Sequence, residues 1–353
     1  MGIRTPFIRL TDICQLSCEH CYASSGVKNP NELNTQQWAQ ALQKIAQHAP
    51  RVTLLGGEPT LLPNFRELLT YACKLYDDVT IQTNGINIPH KTLQHLEHEF
   101  GGPPSNLTIA ISIEGNEELH ESIRGKNTFE ETIDSLKQYG IEYKGIKYEE
   151  DDDPAMRGYQ TGIRITITKK LNPHQLPDLV KYFNEKLHSP VTLVRFLEKG
   201  RGTKKWTPSK KQLANLYQIT QKLQNEGYTI DMFDSPYYAW DKDKREKYKE
   251  HFKNRGVCEV MRGERMNIEP DGTITPCFML TDDEHEIGHI LETPWNEIEN
   301  KLTEFAEKQR EKKLIEEPCQ ECEYSELCQG GCVYLNSDKR LDNRCPIEHL
   351  EVN

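Results

Sequence analysis

The 353-residue sequence predicts an α/β fold, a partial (β/α)6 barrel of the TIM-like kind followed by a small cysteine-rich C-terminal domain. Three observations lead there. Short β-rich runs alternate with amphipathic stretches of helical length through the first two-thirds of the chain. That alternation selects parallel strands joined by right-handed crossovers. Beyond about Asp231 the rhythm is lost, and seven of the eleven cysteines lie C-terminal to that point. The chain accordingly divides into 1–230, a linking stretch over 231–257 and a C-terminal domain over 258–353.

The predicted strands are Phe7–Leu10, Val52–Leu55, Val79–Thr83, Leu107–Ile113, Ile163–Thr168 and Val191–Phe196. Between them, Thr35–His48 sets Trp38, Ala41, Leu42 and Ile45 on one helical face. Further helices are expected over Phe65–Tyr76, Phe129–Tyr139, Gln175–Leu187 and Ser209–Gly227. Thr128 and Thr207 suit N-caps, and Pro208 suits a first helical turn. An irregular piece, Tyr143–Tyr159, contains five consecutive acidic residues at 149–153, which read as a solvated loop or as a docking point for a basic peptide segment. In the last domain, Pro270-Asp-Gly-Thr273 between apolar runs is a hairpin turn, with Cys277 expected on the returning strand. In folds of this type the chemistry sits at the C-terminal ends of the strands.

Composition removes several classes of function. A net charge of -11 argues against a phosphate-backbone partner, so no nucleic acid is expected. No run approaches eighteen apolar residues, so no membrane span is expected. The N-terminal residues resemble neither a signal peptide nor a myristoylation site. Eleven cysteines in such a chain point to metal ligation in a reduced cytoplasm rather than to disulfides. Cys73 is the exception, a small apolar residue in a helix.

The most informative residues are Cys14, Cys18 and Cys21, spaced by three and then two residues directly after the first strand. One short loop thus carries three thiolates, enough for three corners of a cubane iron–sulfur cluster. Such clusters ordinarily take four cysteines, so the fourth iron is left open to a ligand that is not protein. Zinc is the rival, with His20 between two of the cysteines, but no second ligand pair lies nearby. Gly56-Gly-Glu-Pro59 closes the second strand; its glycines allow close backbone approach, and Glu58 is suited to an ammonium group. Thr83-Asn-Gly85 and Ser112-Ile-Glu-Gly115 end the third and fourth strands, where turn chemistry alone also explains them.

Together these residues resemble the radical S-adenosylmethionine (SAM) enzymes. The resemblance implies that SAM chelates the open iron through its amino and carboxyl groups. It places Tyr22 near the adenine, and Gly56, Gly57 and Glu58 on the methionyl amine. Asn84, Ser112 and Glu114 match positions that contact the carboxylate and ribose. The segment His120–Gly125 also matches the family, and Arg164 either reaches SAM or pairs with Glu114. The array Cys258, Cys277, Cys319, Cys322, Cys328, Cys332 and Cys345 is similar to the SPASM domain, which implies two auxiliary [4Fe–4S] clusters and three in all. Residue by residue, Cys258, Cys277 and Cys332 would hold the first auxiliary cluster, and Cys319, Cys322, Cys328 and Cys345 the second. The first then lacks a fourth cysteine; Glu259, solvent or a substrate atom are the candidates. For the second, a four-cysteine zinc site over 319–332 is the rival.

The family resemblance implies reductive cleavage of SAM to a 5′-deoxyadenosyl radical, which takes hydrogen from a substrate. Peptides are the main substrate class of such enzymes, most of all ribosomally made precursors that are cross-linked or excised. Porphyrin or sugar chemistry, and a non-catalytic electron-transfer protein, are the alternatives. No winged-helix leader-binding segment precedes the first strand, so a separate leader-binding protein is expected as a partner, beside a ferredoxin or flavodoxin donor.

Overall fold

The computed structural model describes residues 3, 6–86, 90–140, 160–232, 246, 258–313, 321–322, 325–337 and 345. Strands β1 (Phe7–Arg9), β2 (Arg51–Leu55), β3 (Asp78–Thr83), β4 (Leu107–Ser112), β5 (Gln160–Ile167) and β6 (Val191–Arg195) pair in that order, every neighbour parallel. All six predicted strands are therefore present. A seventh, β7 (Ile230–Met232), joins parallel to β6 and carries the sheet across the expected boundary at residue 230.

The predicted hairpin forms β8 (Asn267–Ile268) and β9 (Thr273–Thr275), and β10 (Gly288–His289) pairs with β9. It extends the main sheet, because β8 runs parallel to β1 with Phe7 opposite Asn267. The result is one ten-stranded sheet in the order β10-β9-β8-β1-β2-β3-β4-β5-β6-β7. Cys277 lies two residues past the end of β9, not on it, and makes an isolated bridge with Leu280.

Helix α1 (Thr35–Ala46) starts in a capping box: Gln37 N–H donates to the Asn34 side chain at 3.0 Å, and Asn34 N–H donates to Gln37 at 2.9 Å. It buries Trp38, Ala41, Leu42 and Ile45, as its periodicity predicts, and Trp38 Nε1 donates to Leu10 O at 3.2 Å. This hydrogen bond fixes the chain where β1 gives way to the cysteine loop. Next come helices α2 (Phe65–Leu75), α3 (His90–Phe100), α4 (Glu117–Arg124), α5 (Thr128–Gly140), α6 (Leu176–Lys186) and α7 (Lys210–Asn225). The two not foreseen, α3 and α4, carry few apolar residues; α4 buries only His120 and Ile123.

The expected caps differ. Thr128 opens α5 as its first residue, its hydroxyl donating to Gly125 O at 2.7 Å. Ser209 caps α7 by accepting from Gln212 N–H at 3.1 Å, while Thr207 ends the 3-10 turn Lys204–Trp206 before it. Helices α8 (Trp295–Lys313), α9 (Ser325–Cys328) and α10 (Val333–Ser337) complete the described chain.

One apolar core runs through both ends of the sheet, joining Ile8, Leu54, Ile81 and Ile109 to Ile268, Ile274, Trp295 and Ile298. Cys73 is buried in it on α2, and that burial pushes its thiol up to about 12. No helix of the described residues is long and apolar enough to cross a membrane. The acidic run at 149–153 and most of the 231–257 stretch lie outside the described residues.

Candidate radical SAM and cluster sites

The loop carrying Cys14, Cys18 and Cys21 leaves the C-terminal end of β1 and is pinned at its neck. Ile13 and Gly26 form a parallel bridge, with Gly26 N–H donating to Asp12 O at 2.8 Å and Cys14 N–H to Gly26 O at 3.2 Å. The turn after β2 locks against it: Gly57 N–H donates to Thr11 O and Glu58 N–H to Ile13 O, both at 2.7 Å. A Cβ at residue 57 would stand 2.3 Å from Ile13 O, so the two loops touch only because Gly57 has no side chain. The cysteine motif and the Gly-Gly-Glu turn thus form one unit at adjacent strand ends.

From the other side the loop is held by basic residues that the sequence pattern did not single out. Arg201, after β6, donates from Nε to Cys18 O and from Nη1 to Ser25 O, both at 2.9 Å, while its backbone N–H reaches Cys21 O at 3.0 Å. Gly200 has φ +61°, and a Cβ there would lie 2.4 Å from Tyr22 O. The signal that could have found this segment is positional: a Lys-Gly-Arg-Gly run at the C-terminal end of a strand, where the chemistry of such folds collects.

Glu58 is fully buried and accepts four hydrogen bonds. Oε1 takes Thr60 Oγ1 at 2.7 Å, Thr83 Oγ1 at 2.8 Å and Thr60 N–H at 3.2 Å, and Oε2 takes Asn84 N–H at 2.8 Å. Burial pushes its pKa up, and these donors oppose the shift. Oε2 keeps acceptor capacity for a ligand ammonium. Glu58→Gln is therefore expected to act twice. In either amide orientation the NH2 group faces a backbone N–H, of Thr60 or of Asn84, which costs about 1–3 kcal/mol in thermal unfolding. SAM affinity, measured by equilibrium binding to reconstituted protein, should fall about ten- to a hundredfold at unchanged iron content. Loss of stability with unaltered SAM affinity would leave Glu58 as a tie between the β2 and β3 turns.

Asn84 is buried at the end of β3, and its Nδ2 donor finds no partner. The Tyr22 hydroxyl and Ser25 Oγ are also buried without partners. Such orphaned donors at the strand ends fit a polar ligand seated there. Ser112 ends β4 half-buried, in register with half-buried Arg164 on β5.

Glu114 is fully buried and bound on both oxygens. Oε1 accepts from Arg124 Nε at 2.9 Å and Nη2 at 2.5 Å and meets His20 Nε2 at 2.9 Å, while Oε2 accepts from Thr166 N–H at 3.2 Å. Burial alone would raise its pKa, but His20 and Arg124 outweigh it and hold the carboxyl far below the usual carboxylate range. His20, considered from sequence as a zinc ligand, instead faces this carboxylate. His120, pushed down to about 4 by burial and by Arg124, is neutral and accepts the Glu114 N–H at 3.3 Å.

Cys14, Cys18 and Cys21 are free thiols. Burial pushes Cys14 and Cys18 up, and Arg124 draws Cys18 back. Among the described residues no three His, Cys, Asp or Glu side chains stand close enough to hold a metal ion as placed. The three N-terminal cysteines share one loop, whose backbone is pinned by Gly26, by the β2 turn and by Arg201. In the C-terminal region Cys258 and Cys277 pack in one small apolar cluster with Met261, Leu280 and Val333, the residue after Cys332. Cys258 and Cys277 thus lie in one apolar cluster with the residue that follows Cys332. Glu259, a candidate fourth ligand there, accepts from Arg265 Nη1 at 3.2 Å. Cys322, Cys328 and Cys345 are partly exposed, and Cys319 lies outside the described residues. The two cysteine regions meet through aromatic rings: Tyr22 packs on Phe278 at 5.0 Å, and the Arg265 guanidinium covers Phe278 at 4.8 Å and Phe7 at 3.9 Å.

Comparison with known proteins agrees with this geometry. A family profile described as the Radical SAM superfamily matches residues 8–153, and one described as SPASM, an iron–sulfur cluster-binding domain, matches 258–323. Sporulation killing factor maturation protein SkfB of Bacillus subtilis (strain 168) is 38% identical over 133 residues, which is 37% of this chain and 31% of that protein. The chain thus spans less than a third of SkfB. Mycofactocin maturase MftC of Mycobacterium tuberculosis is 24% identical over 92% of this chain and 76% of its own length. Fe-coproporphyrin III synthase of Methanosarcina barkeri is 24% identical over 91% and 81%. Among solved structures, Streptococcus suis SuiB bound to its precursor peptide SuiA has a TM-score of 0.72 at 18% identity, covering 98% of this chain and 76% of that one. The chain carries a radical SAM domain over residues 8–153, followed by a SPASM domain over 258–323.

Proposed function

We propose that this protein is a radical SAM enzyme that takes a hydrogen atom from a peptide, most readily a ribosomally synthesised precursor, and thereby directs its cross-linking or excision. The observation that carries this reading is the joining of the Cys14/Cys18/Cys21 loop to the Gly56-Gly-Glu58 turn within a chain that also bears the seven-cysteine array. Relatives named as maturases support a peptide substrate: SkfB matures a sporulation killing factor, MftC is a mycofactocin maturase, and SuiB is seen with a precursor peptide. Fe-coproporphyrin III synthase supports the small-molecule alternative.

In this reading Cys14, Cys18 and Cys21 hold the cluster that binds SAM. Cys258, Cys277 and Cys332 hold a first auxiliary cluster, and Cys319, Cys322, Cys328 and Cys345 a second. Cluster and SAM together supply the hydrogen-abstracting radical when bound. The chain's own side chains bind and orient. Tyr22 faces the adenine, Gly56, Gly57 and Glu58 take the methionyl amine, and Asn84, Ser112 and Arg164 serve the carboxylate and ribose. Glu114 acts through His20 of the cysteine loop and Arg124 of α4, which it ties together. A separate leader-binding protein presents the peptide, and a ferredoxin or flavodoxin delivers the electron.

The test is mass spectrometry of candidate precursor peptides after anaerobic turnover with SAM and a reductant, with and without candidate leader-binding proteins. A mass loss equal to a hydrogen pair marks an oxidative cross-link, and a larger loss marks excision. Unmodified peptides together with turnover of a porphyrin or sugar would replace the peptide assignment.

A further inference from the structure

We propose that Lys199 is a positioning residue for Cys277 and sets the reduction potential of the first auxiliary cluster. This rests on the reading that Cys258, Cys277 and Cys332 hold such a cluster. Lys199 belongs to the loop after β6, yet its ammonium group reaches the C-terminal domain and spends all three protons there. Nζ donates to Phe278 O at 3.2 Å, to Met279 O at 2.9 Å and to Thr281 Oγ1 at 2.6 Å. Three donors meeting three acceptors is full satisfaction of a half-buried ammonium group, which keeps its charge.

The two carbonyls belong to the residues directly after Cys277. Fixing the Phe278 carbonyl turns the following amide the other way, and Met279 N–H points at Cys277 Sγ at 3.5 Å, while Leu280 N–H donates to Cys277 O at 2.9 Å. Lys199 therefore locks the turn that aims an N–H at the ligand sulfur, and it places a positive charge on the two carbonyls that directly follow Cys277. Hydrogen bonds to cluster sulfurs and local charge are two of the levers that set a cluster's potential. A positive charge favours the reduced, more negative form.

The same short loop holds the N-terminal site. Gly200 and Arg201 clasp Cys18, Cys21 and Tyr22, and Glu198 O accepts the hydroxyl of Tyr334, two residues after Cys332. Residues 198–201 thus touch the segments carrying Cys21, Cys277 and Cys332 within one turn of chain. Lys199 is the member of this clasp whose charge faces the auxiliary site.

The experiment uses the full chain, reconstituted anaerobically, with electron paramagnetic resonance followed during a redox titration. The signal lost in Cys258→Ala identifies the cluster in question. Lys199→Met, which keeps the length and removes the charge, is expected to move that signal to more negative potential at unchanged iron content, and Lys199→Arg to bring it back toward the parent. An unmoved potential in Lys199→Met overturns the proposal. Amide hydrogen exchange on metal-free protein gives an independent readout: Met279 and Leu280 should exchange faster in Lys199→Met, and equal protection overturns the positioning role even if that variant binds iron poorly. A parent protein without any signal dependent on Cys258 would remove the cluster assignment itself, and the role of Lys199 with it.

Discussion

Changing Cys14, Cys18 and Cys21 together to Ala is expected to remove about four of the roughly twelve irons that three filled cubane sites would bind, and to abolish SAM cleavage. The loop itself should survive the change. Its neck is made of backbone bonds between Asp12, Cys14 and Gly26, and Arg201 grips the carbonyls of Cys18 and Ser25 rather than any thiol. The β2 turn likewise binds Thr11 and Ile13 through their carbonyls. Loss of iron would thus report loss of ligands, with thermal unfolding close to that of the parent. Iron and sulfide analysis, with chromatography for 5′-deoxyadenosine, provides the check. Stoichiometric zinc with little iron in the parent protein would sink the three-cluster reading.

Gly200→Ala should be the most damaging single substitution outside the ligands. Two effects add. The backbone there has φ +61°, which disfavours any residue with a Cβ by about 1–2 kcal/mol. The new Cβ would also lie 2.4 Å from Tyr22 O and 2.6 Å from Cys21 O, and both are backbone atoms that no rotamer change can move aside. Relief requires the cysteine loop or the 198–201 loop to shift, at about 1–3 kcal/mol more. Gly227→Ala is the matched control: φ is +90°, but nothing lies within 4 Å, so only the dihedral cost remains. The expected pattern is a large fall in melting temperature and loss of the SAM-cleaving cluster for Gly200→Ala, with a small fall and full cluster content for Gly227→Ala. Equal effects would mean that the close approach to Cys21 and Tyr22 has no part in holding the site.

Much of the framework was legible because it rests on local pattern. Apolar runs such as Leu107–Ile113 announce buried parallel strands, and the amphipathic face of Thr35–His48 announces a helix, since both express burial within a short window. The cysteine triad and the Gly-Gly-Glu turn are legible because their chemistry is written in consecutive residues. What stayed hidden depends on contacts distant in sequence. Nothing near Arg201 says that it grips a loop 183 residues earlier, and nothing near Lys199 points 79 residues ahead to Phe278. Helix α4 escaped because its inward face is only His120 and Ile123, too few to make a periodic stripe, although it supplies the Arg124 that pairs with Glu114. Cys277 falls past the strand rather than on it because turn chemistry marks where a hairpin reverses but not where its pairing stops.

The pairing of β1 with β8 has a consequence for how the molecule comes into being. The strand that launches the cysteine loop is flanked by β2 on one side and, on the other, by a strand whose neighbour Glu269 meets Arg9 across 260 residues of chain. Closing so long a separation carries the loop-closure entropy that slows folding. During synthesis β1 is made before β2 to β7 and gains its second neighbour, β8, only after all of them. Until the C-terminal hairpin arrives, one edge of Phe7–Arg9 stays open, and Phe278 is not yet packed on Tyr22. The cysteine loop therefore passes through a stage in which it is formed but not enclosed, a natural interval for delivery of iron and sulfide before the second half of the chain shuts over it.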